Sequence, residues 1–297
     1  MPTDNVPIGV PDTPTDAVQE FAIPILVKQT TFNNERNDPT ISFQTANNEE
    51  YSESTDSFIQ EAELKELEGY NSLVYTRENG SQLILTDTQQ MANLMDSVIM
   101  YEERSSVDIS RTEIAARNLK IQIEDLNASK QDLSDQNIET IELDQGRVLI
   151  GPGKLNLNAG TLARSLEESK IVGDKFRFPY TSSKGTKSVF YLSLQQAEMF
   201  SQAVRGLLPP NIRDQIYVKN NPSYDVPFEN PTFDMRRKMI SSGKYELPEQ
   251  TFEYPTFREF IPNGDDYKVN LYFKSDQRIY RFGFDLDTYN RLLRETS

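Results

Sequence analysis

Apolar and polar residues fall into one arrangement three times along the chain. In "SLVYTRENGSQLILTDTQQMANLMDSV", residues 72–98, a two-residue alternation is broken by Asn79-Gly80, resumes, and then gives way to helical spacing after Thr86-x-x-Gln89. This predicts two strands, a hairpin turn and a helix opened by a capping box. The same order recurs in "KFRFPYTSSKGTKSVFYLSLQQAEMFSQAV", with Lys184-Gly185 as the turn and Ser193-x-x-Gln196 as the cap. It recurs again in "YKVNLYFKSDQRIYRFGFDLDTYNRLL", with Ser275-Asp276 as the turn and Asp285 as the cap. Each unit can bury one sheet face beneath its own helix, so the expected fold class is α+β, built from strand-turn-strand-helix modules at 57–104, 147–208 and 263–297. Before the first unit, "SFIQEAELKEL" over Ser57–Leu67 predicts a short helix closed by Gly69. The spacing is too irregular for a stacked solenoid, and common ancestry and convergent hairpin chemistry both fit the recurrence.

Between the first two units, residues 105–146 predict a helical segment. Leu119, Leu126 and Leu133 recur every seven residues, and placing them at d puts Ala116, Ile123, Lys130 and Asn137 at a. A seam this narrow fits a coiled-coil contact, in which Lys130 and Asn137 would set register and partner number. The segment is the candidate oligomerisation element, and a single-chain amphipathic helix is the alternative. Asp125, Asp132 and Asp135 fall outside the seam and are expected on a solvated helix face.

Two stretches lack clear periodicity. Residues 1–56 hold prolines at 2, 7, 11, 14, 24 and 39 and one apolar patch, in which Phe21, Ile23, Ile25, Leu26 and Val27 stand together. They read as an extended arm that gains its burial by lying along a neighbouring subunit. Residues 209–262 hold eight of the sixteen prolines, interleaved with Tyr224, Phe228, Phe233, Phe252, Tyr254 and Phe257. They read as a semi-rigid strap whose rings dock onto a partner or onto its own domain. A loop that long within a compact domain is uncommon, which favours the partner.

Charge sharpens this picture. The chain carries a net charge of −15, and residues 1–72 account for −11 of it, with 14 acidic against 3 basic residues. The run Met235-Arg236-Arg237-Lys238 is too short a basic face for a phosphate backbone, so nucleic acid is not an expected partner. With no histidine and no cysteine, His-based triads, His metal centres, thiolate sites and disulfides are excluded; no cofactor or metal is expected. No apolar stretch or leader pattern points to a membrane. "GPGK" at 151–154 lacks the GxxxxGK[ST] spacing and reads as a turn. The adjacent pairs Glu102-Glu103 and Asp265-Asp266 have no context that marks them as catalytic.

The weak seam "LNASKQDLSDQN", together with "RNLKIQIEDLNA" following "SQLILTDTQQMANLMDSVIMYEE", resembles the fibre, collar and baseplate-associated structural proteins of tailed bacteriophages. That resemblance implies a non-enzymatic virion protein, assembled in the host cytoplasm, that associates with itself, with a trimer favoured, and with other virion proteins. A glycine-rich shaft and a receptor-binding tip are missing, so an adaptor or joining role is expected rather than host recognition. A carboxylate-based glycan-degrading enzyme and a cellular scaffold or secretion-system component are the alternatives.

Overall fold

The computed structural model describes residues 23–34, 38–126, 128–151, 155–225, 231–234, 239–242, 245–246, 257–275 and 278–296. The first module consists of β1 (Pro24–Asn33), β2 (Thr40–Thr45), β3 (Glu50–Ser54), α1 (Thr55–Glu61), β4 (Glu63–Leu67), β5 (Tyr70–Thr76), β6 (Gln82–Leu85), α2 (Thr88–Ser105) and α3 (Arg111–Leu126). The start of β1 runs parallel to β6 and the rest of it antiparallel to β2, so one sheet forms in the order β3-β2-β1-β6-β5-β4. Its inward side chains, among them Ile41, Phe43, Leu73, Tyr75 and Leu83, pack on Phe58 of α1 and on Met91, Met95 and Val98 of α2.

The second module comprises β7 (Ser129–Asp132), β8 (Ile141–Asp144), β9 (Arg147–Ile150), β10 (Leu155–Asn158), α4 (Ala159–Leu166), β11 (Lys170–Val172), β12 (Lys175–Thr181), β13 (Lys187–Ser193), α5 (Leu194–Ala203) and α6 (Pro210–Asn220). The third comprises β14 (Ser223–Asp225), β15 (Pro231–Asp234), β16 (Met239–Ser242), β17 (Tyr245–Glu246), β18 (Phe257–Asn263), β19 (Asp266–Ser275), β20 (Arg278–Asp285) and α7 (Leu286–Thr296).

The modules share one topology, which goes beyond the expected hairpin and helix. In each, a leading strand (β1, β7, β14) runs parallel to the last strand of a three-stranded meander, giving the orders β1-β6-β5-β4, β7-β13-β12-β11 and β14-β20-β19-β18. An excursion containing a small antiparallel sheet separates the leading strand from its meander: β2–β3, β8–β10 or β15–β17. The meander ends in a helix (α2, α5, α7), and in the first two modules a second helix, α3 or α6, follows. Only two residues then separate α3 from β7, and α6 from β14.

The turns repeat as well. Two-residue loops join the first two meander strands, with Gly173 and Gly264 at φ +61° and +63° in the first place. In the first module Glu68 and Gly69, at φ +52° and +82°, take these places. Positive φ in such loops matches the right-handed twist of the strands. The next hairpin turns at Gly80 and Gly185 with the same pair of bonds: Gly80 N–H donates to Arg77 O at 2.9 Å and Arg77 N–H to Ser81 O at 2.8 Å, while Gly185 N–H donates to Ser182 O and Ser182 N–H to Thr186 O, both at 2.9 Å. Caps follow at Ser193, which forms a reciprocal capping box with Gln196, and at Asp285, which accepts from Thr288 N–H at 2.7 Å. In the first module the cap is Asp87 and not Thr86, because its carboxylate accepts from both Gln89 and Gln90 N–H.

Four expectations are corrected. The stretch Ser57–Leu67 is not one helix: α1 ends at Glu61, and Leu64 and Leu67 belong to β4, where alternation places only Leu64 on the core side. The part of the arm from 23 to 56 does not wait for a neighbour, since β1, β2 and β3 form half of the first sheet and Val27, Ile41 and Phe43 are in its core. The helical segment stops at Leu126 and becomes β7, so the seven-residue ladder spans a helix, a strand and a loop. Within the strap, residues 210–220 form α6, with Pro210 in its first turn, where a missing N–H costs nothing. Of the expected turn Ser275-Asp276, Ser275 is the last residue of β19, and Asp276 lies outside the described residues.

Candidate functional site: the groove where the three modules meet

Two charged joints fix the modules to each other. At the first, α3 lies over the outer face of the second meander, the face turned away from α5. Arg177 on β12 is only 2 % exposed and donates to Asp125 through Nε at 2.9 Å and through a terminal nitrogen at 2.7 Å. Glu124 adds a longer contact of 3.4 Å, and the hydroxyl of Tyr191 on β13 donates to the other Asp125 oxygen. Burial, then the bond to Asp125, pushes the Tyr191 phenol well above its ordinary range. Asp125 is therefore no part of a solvated face, while Asp132 sits on β7, held down to about 2 by Lys175 and Ser134.

At the second joint, α6 lies over the outer face of the third meander. Val218 packs with Tyr272 and Ile279, Lys274 stands over the Tyr217 ring at 4.1 Å, and Lys219 pairs with Glu259 on β18 at 2.5 Å. Glu259 also accepts from the Tyr272 hydroxyl at 2.8 Å. The third module closes on the first through Asn290, whose side chain both accepts from Ile109 N–H and donates to Ile109 O. Arg111–Asp266 and Arg294–Asp108 flank this contact, and Ile114 of α3 enters the core of the third module.

A groove of about 1210 Å³ opens where these contacts converge. Its floor is the face of α3 carrying Ile114, Arg117, Lys120, Ile121 and Glu124; its walls are residues 168–174, centred on β11, and 257–262 of β18. β11 and β18 are each the outermost strand of their sheet. Most groove charges are paired: Arg117 with Glu113 at 2.9 Å and Glu103 at 2.6 Å, Lys120 with Asp96, and Lys219 with Glu259. Lys170 differs. It is half-buried and has no ion-pair partner among the described residues. Burial, then the charge of Arg177, lowers the tendency of its amine to hold a proton. The groove thus offers strand edges that pair with no described residue, apolar floor residues, and two cations, Lys170 and Arg258, with no carboxylate partner among the described residues, a combination suited to binding a chain segment.

The sequence-expected site residues are dispersed. Ala116, Leu119 and Ile123 are buried against α1 and α2 of their own module, so they hold no seam for another copy. Leu126 is half-buried at the end of α3; Leu133 enters the core of the second module; Lys130 stands exposed over the Tyr191 ring at 5.1 Å; Asn137 is exposed in a loop. The coiled-coil element is therefore absent from this fold, because its apolar residues are already used within the chain. Of the arm patch, Phe21 lies outside the described residues, Ile25 and Val27 face the core, and Ile23 and Leu26 are exposed. Of the strap, Phe228, Phe252 and Tyr254 lie outside the described residues, and Phe233 is on β15. Tyr224 is exposed beside Tyr280 and beneath Arg278, and Phe257 stacks on Tyr272 at 5.6 Å. Of those that are described, only Phe257 lines the groove.

Sequence reasoning missed Arg177, Lys170, Lys219 and Glu259. A signal was present for Arg177, a lone cation alternating with Phe176 and Phe178 in a buried strand, since such a charge needs a partner. Among the described residues no cluster of three or more carboxylates could hold a metal, and no helix is long and apolar enough to cross a membrane. Comparison with protein-family models, with curated proteins and with solved structures finds no match to this chain.

Proposed function

We propose that this chain is a non-enzymatic joining subunit of a tailed-phage virion, one that attaches neighbouring tail, collar or baseplate components. The observation that carries the reading is the groove at the three-module junction, walled by two sheet edges that pair with no described residue and held in shape by the Arg177–Asp125 and Lys219–Glu259 joints. Rigid joints around a site that recognises backbone suit a part that must transmit load without turnover. The resemblance of residues 73–145 to phage structural proteins supplies the virion setting. Assembly no longer depends on a coiled coil, so contacts with neighbours are assigned to the groove and to exposed side chains such as Leu26 and Tyr224.

An antibody against the chain tests the assignment. Gradient-purified particles from the source of the sequence should contain it at a fixed ratio to other structural proteins, and gold labelling should mark one tail location. Its absence from intact particles would overturn the virion reading. The glycan-degrading alternative predicts a cleft with two facing carboxylates, whereas Glu102, the carboxylate raised by burial, is bound by the Ser110 hydroxyl at 2.6 Å, away from the groove lining.

A further inference from the structure

We infer that the groove takes one extended peptide segment with an acidic side chain, added as a new strand to β18, its carboxylate meeting Lys170. The inference rests on the groove being the partner site and specifies the partner's chemistry.

The edge of β18 supplies the first half of the argument. The two-residue turn after Asn263 makes Asn263 and Asp266 a hydrogen-bonded pair, so Glu259 and Ile261 also bond inward to β19. The backbone groups of Arg258, Phe260 and Pro262 then point outward, along the side that lines the groove. Proline falls on an outward position, where its missing N–H costs the ladder nothing. Arg258 and Phe260 retain outward N–H and C=O groups that no described residue satisfies. An added strand would satisfy them, whereas a helix or a small anion would leave most of them unmet.

Lys170 supplies the second half. It lines the same groove from the opposite wall, where Arg177, Lys120 and Arg117 act against its charge and Glu124 favours it, with Glu168 and Asp174 on the same wall and no ion pair to either. Those cations are each engaged by carboxylates, and Lys170 is not. A half-buried amine among other cations is stabilised by an incoming carboxylate, and charge-assisted bonds of this kind select strongly for the charged form of the ligand. Acidity is therefore the property the segment must carry.

Fluorescence anisotropy of the full chain with three labelled peptides tests this. The first is an alternating Thr-Val nonamer with Glu at its centre, the second has Gln in that place, and the third is the Glu peptide N-methylated on alternate residues so that one edge cannot donate. The Glu peptide should bind saturably, the Gln peptide roughly tenfold more weakly, and the N-methylated peptide not measurably. Lys170→Ala should abolish the Glu-over-Gln preference, and Lys170→Arg should keep it, with unchanged thermal melts showing that both variants fold. Binding that ignores N-methylation, or that inorganic phosphate displaces fully, would overturn strand addition in favour of a simple anion site. Failure of the Glu peptide to bind would overturn the inference while leaving the virion reading to particle labelling.

Discussion

Replacing Arg177 by Met isolates the first joint. The guanidinium is 2 % exposed and Asp125 is 11 % exposed. Deleting one member of such a pair leaves the other charge buried without compensation and costs about 3–5 kcal/mol. In this joint Asp125 keeps the Tyr191 hydroxyl as a donor, a bond to a charged group that offsets roughly 1–2 kcal/mol. The expected loss for Arg177→Met is therefore about 1–4 kcal/mol. Replacing Asp125 by Leu should cost a similar amount, because it leaves the buried Arg177 with only the longer Glu124 contact at 3.4 Å. The double variant should recover most of the loss, since an apolar contact of similar volume replaces the pair. Urea unfolding followed by far-UV circular dichroism measures each, and the double-mutant cycle should return a coupling of about 2 kcal/mol or more. A single variant within about 1 kcal/mol of the parent, or strictly additive losses, would refute the view that these charges hold the first two modules together.

Charge reversal at the second joint, with Lys219→Glu or Glu259→Lys, should each lower the melting temperature, and the double reversal should restore most of it, with a coupling of about 0.5–3 kcal/mol. Glu102 is raised by burial first and then by the nearby carboxylates Asp56 and Glu113, against the lowering bond from Ser110, while Arg117 is taken up by Glu113 and Glu103. A carboxyl whose folded pKa is raised contributes stability that is full below its unfolded value and lost as pH rises through its folded value. Thermal melts from pH 5 to pH 7.5, as a rough window above the ordinary Glu range, should therefore show Glu102→Gln gaining stability toward the upper end, and a parallel pH profile would contradict this. Gly80→Ala places a side chain at φ +78° with open space around it, so backbone strain alone should cost about 1–2 kcal/mol by chemical unfolding. Leu119→Asp should unfold the first module, because Leu119 is core; a folded chain that only dissociates on light scattering would restore the seam.

The helices that close the three modules, the hairpins at Gly80 and Gly185 and two of the three caps were legible because local chemistry dictates them: glycine at positive φ, Ser193 with Gln196, Asp285 before α7. The leading strands were not. β7 is "SKQD" and β14 is "SYD", short and largely exposed segments held as strands by long-range parallel pairing with β13 and β20. Period alone does not reveal such pairing. The ladder of Leu119, Leu126 and Leu133 misled because a seven-residue spacing survives a change from helix to strand, while each leucine answers to a different neighbour. In the strap, Ile212 and Ile216 carried a one-face helical signal, but the density of proline around them drew attention to loops. Of the candidate site, the sequence singled out Phe257, as a partner-binding ring; the pairing of Lys219 with Glu259 across 40 positions is set by topology alone.

Three copies of one topology in a single chain create a problem of assignment, since α3 and α6 both enter a leading strand after two residues and both cover the outer face of the following meander. Similar elements competing for similar faces invite misassembly. The two joints answer with opposite charge at the same place, the penultimate residue of the helix: Asp125 on α3 meets Arg177, and Lys219 on α6 meets Glu259. The second meander presents Arg177 to the end of its helix and the third presents Glu259, so each face carries the charge opposite to its own helix and like that of the other. Like charges juxtaposed in such contacts cost several kcal/mol. The order of the modules is thus written in the sign of two ion pairs, and the groove between β11 and β18 exists because that order places the second and third sheets side by side around α3.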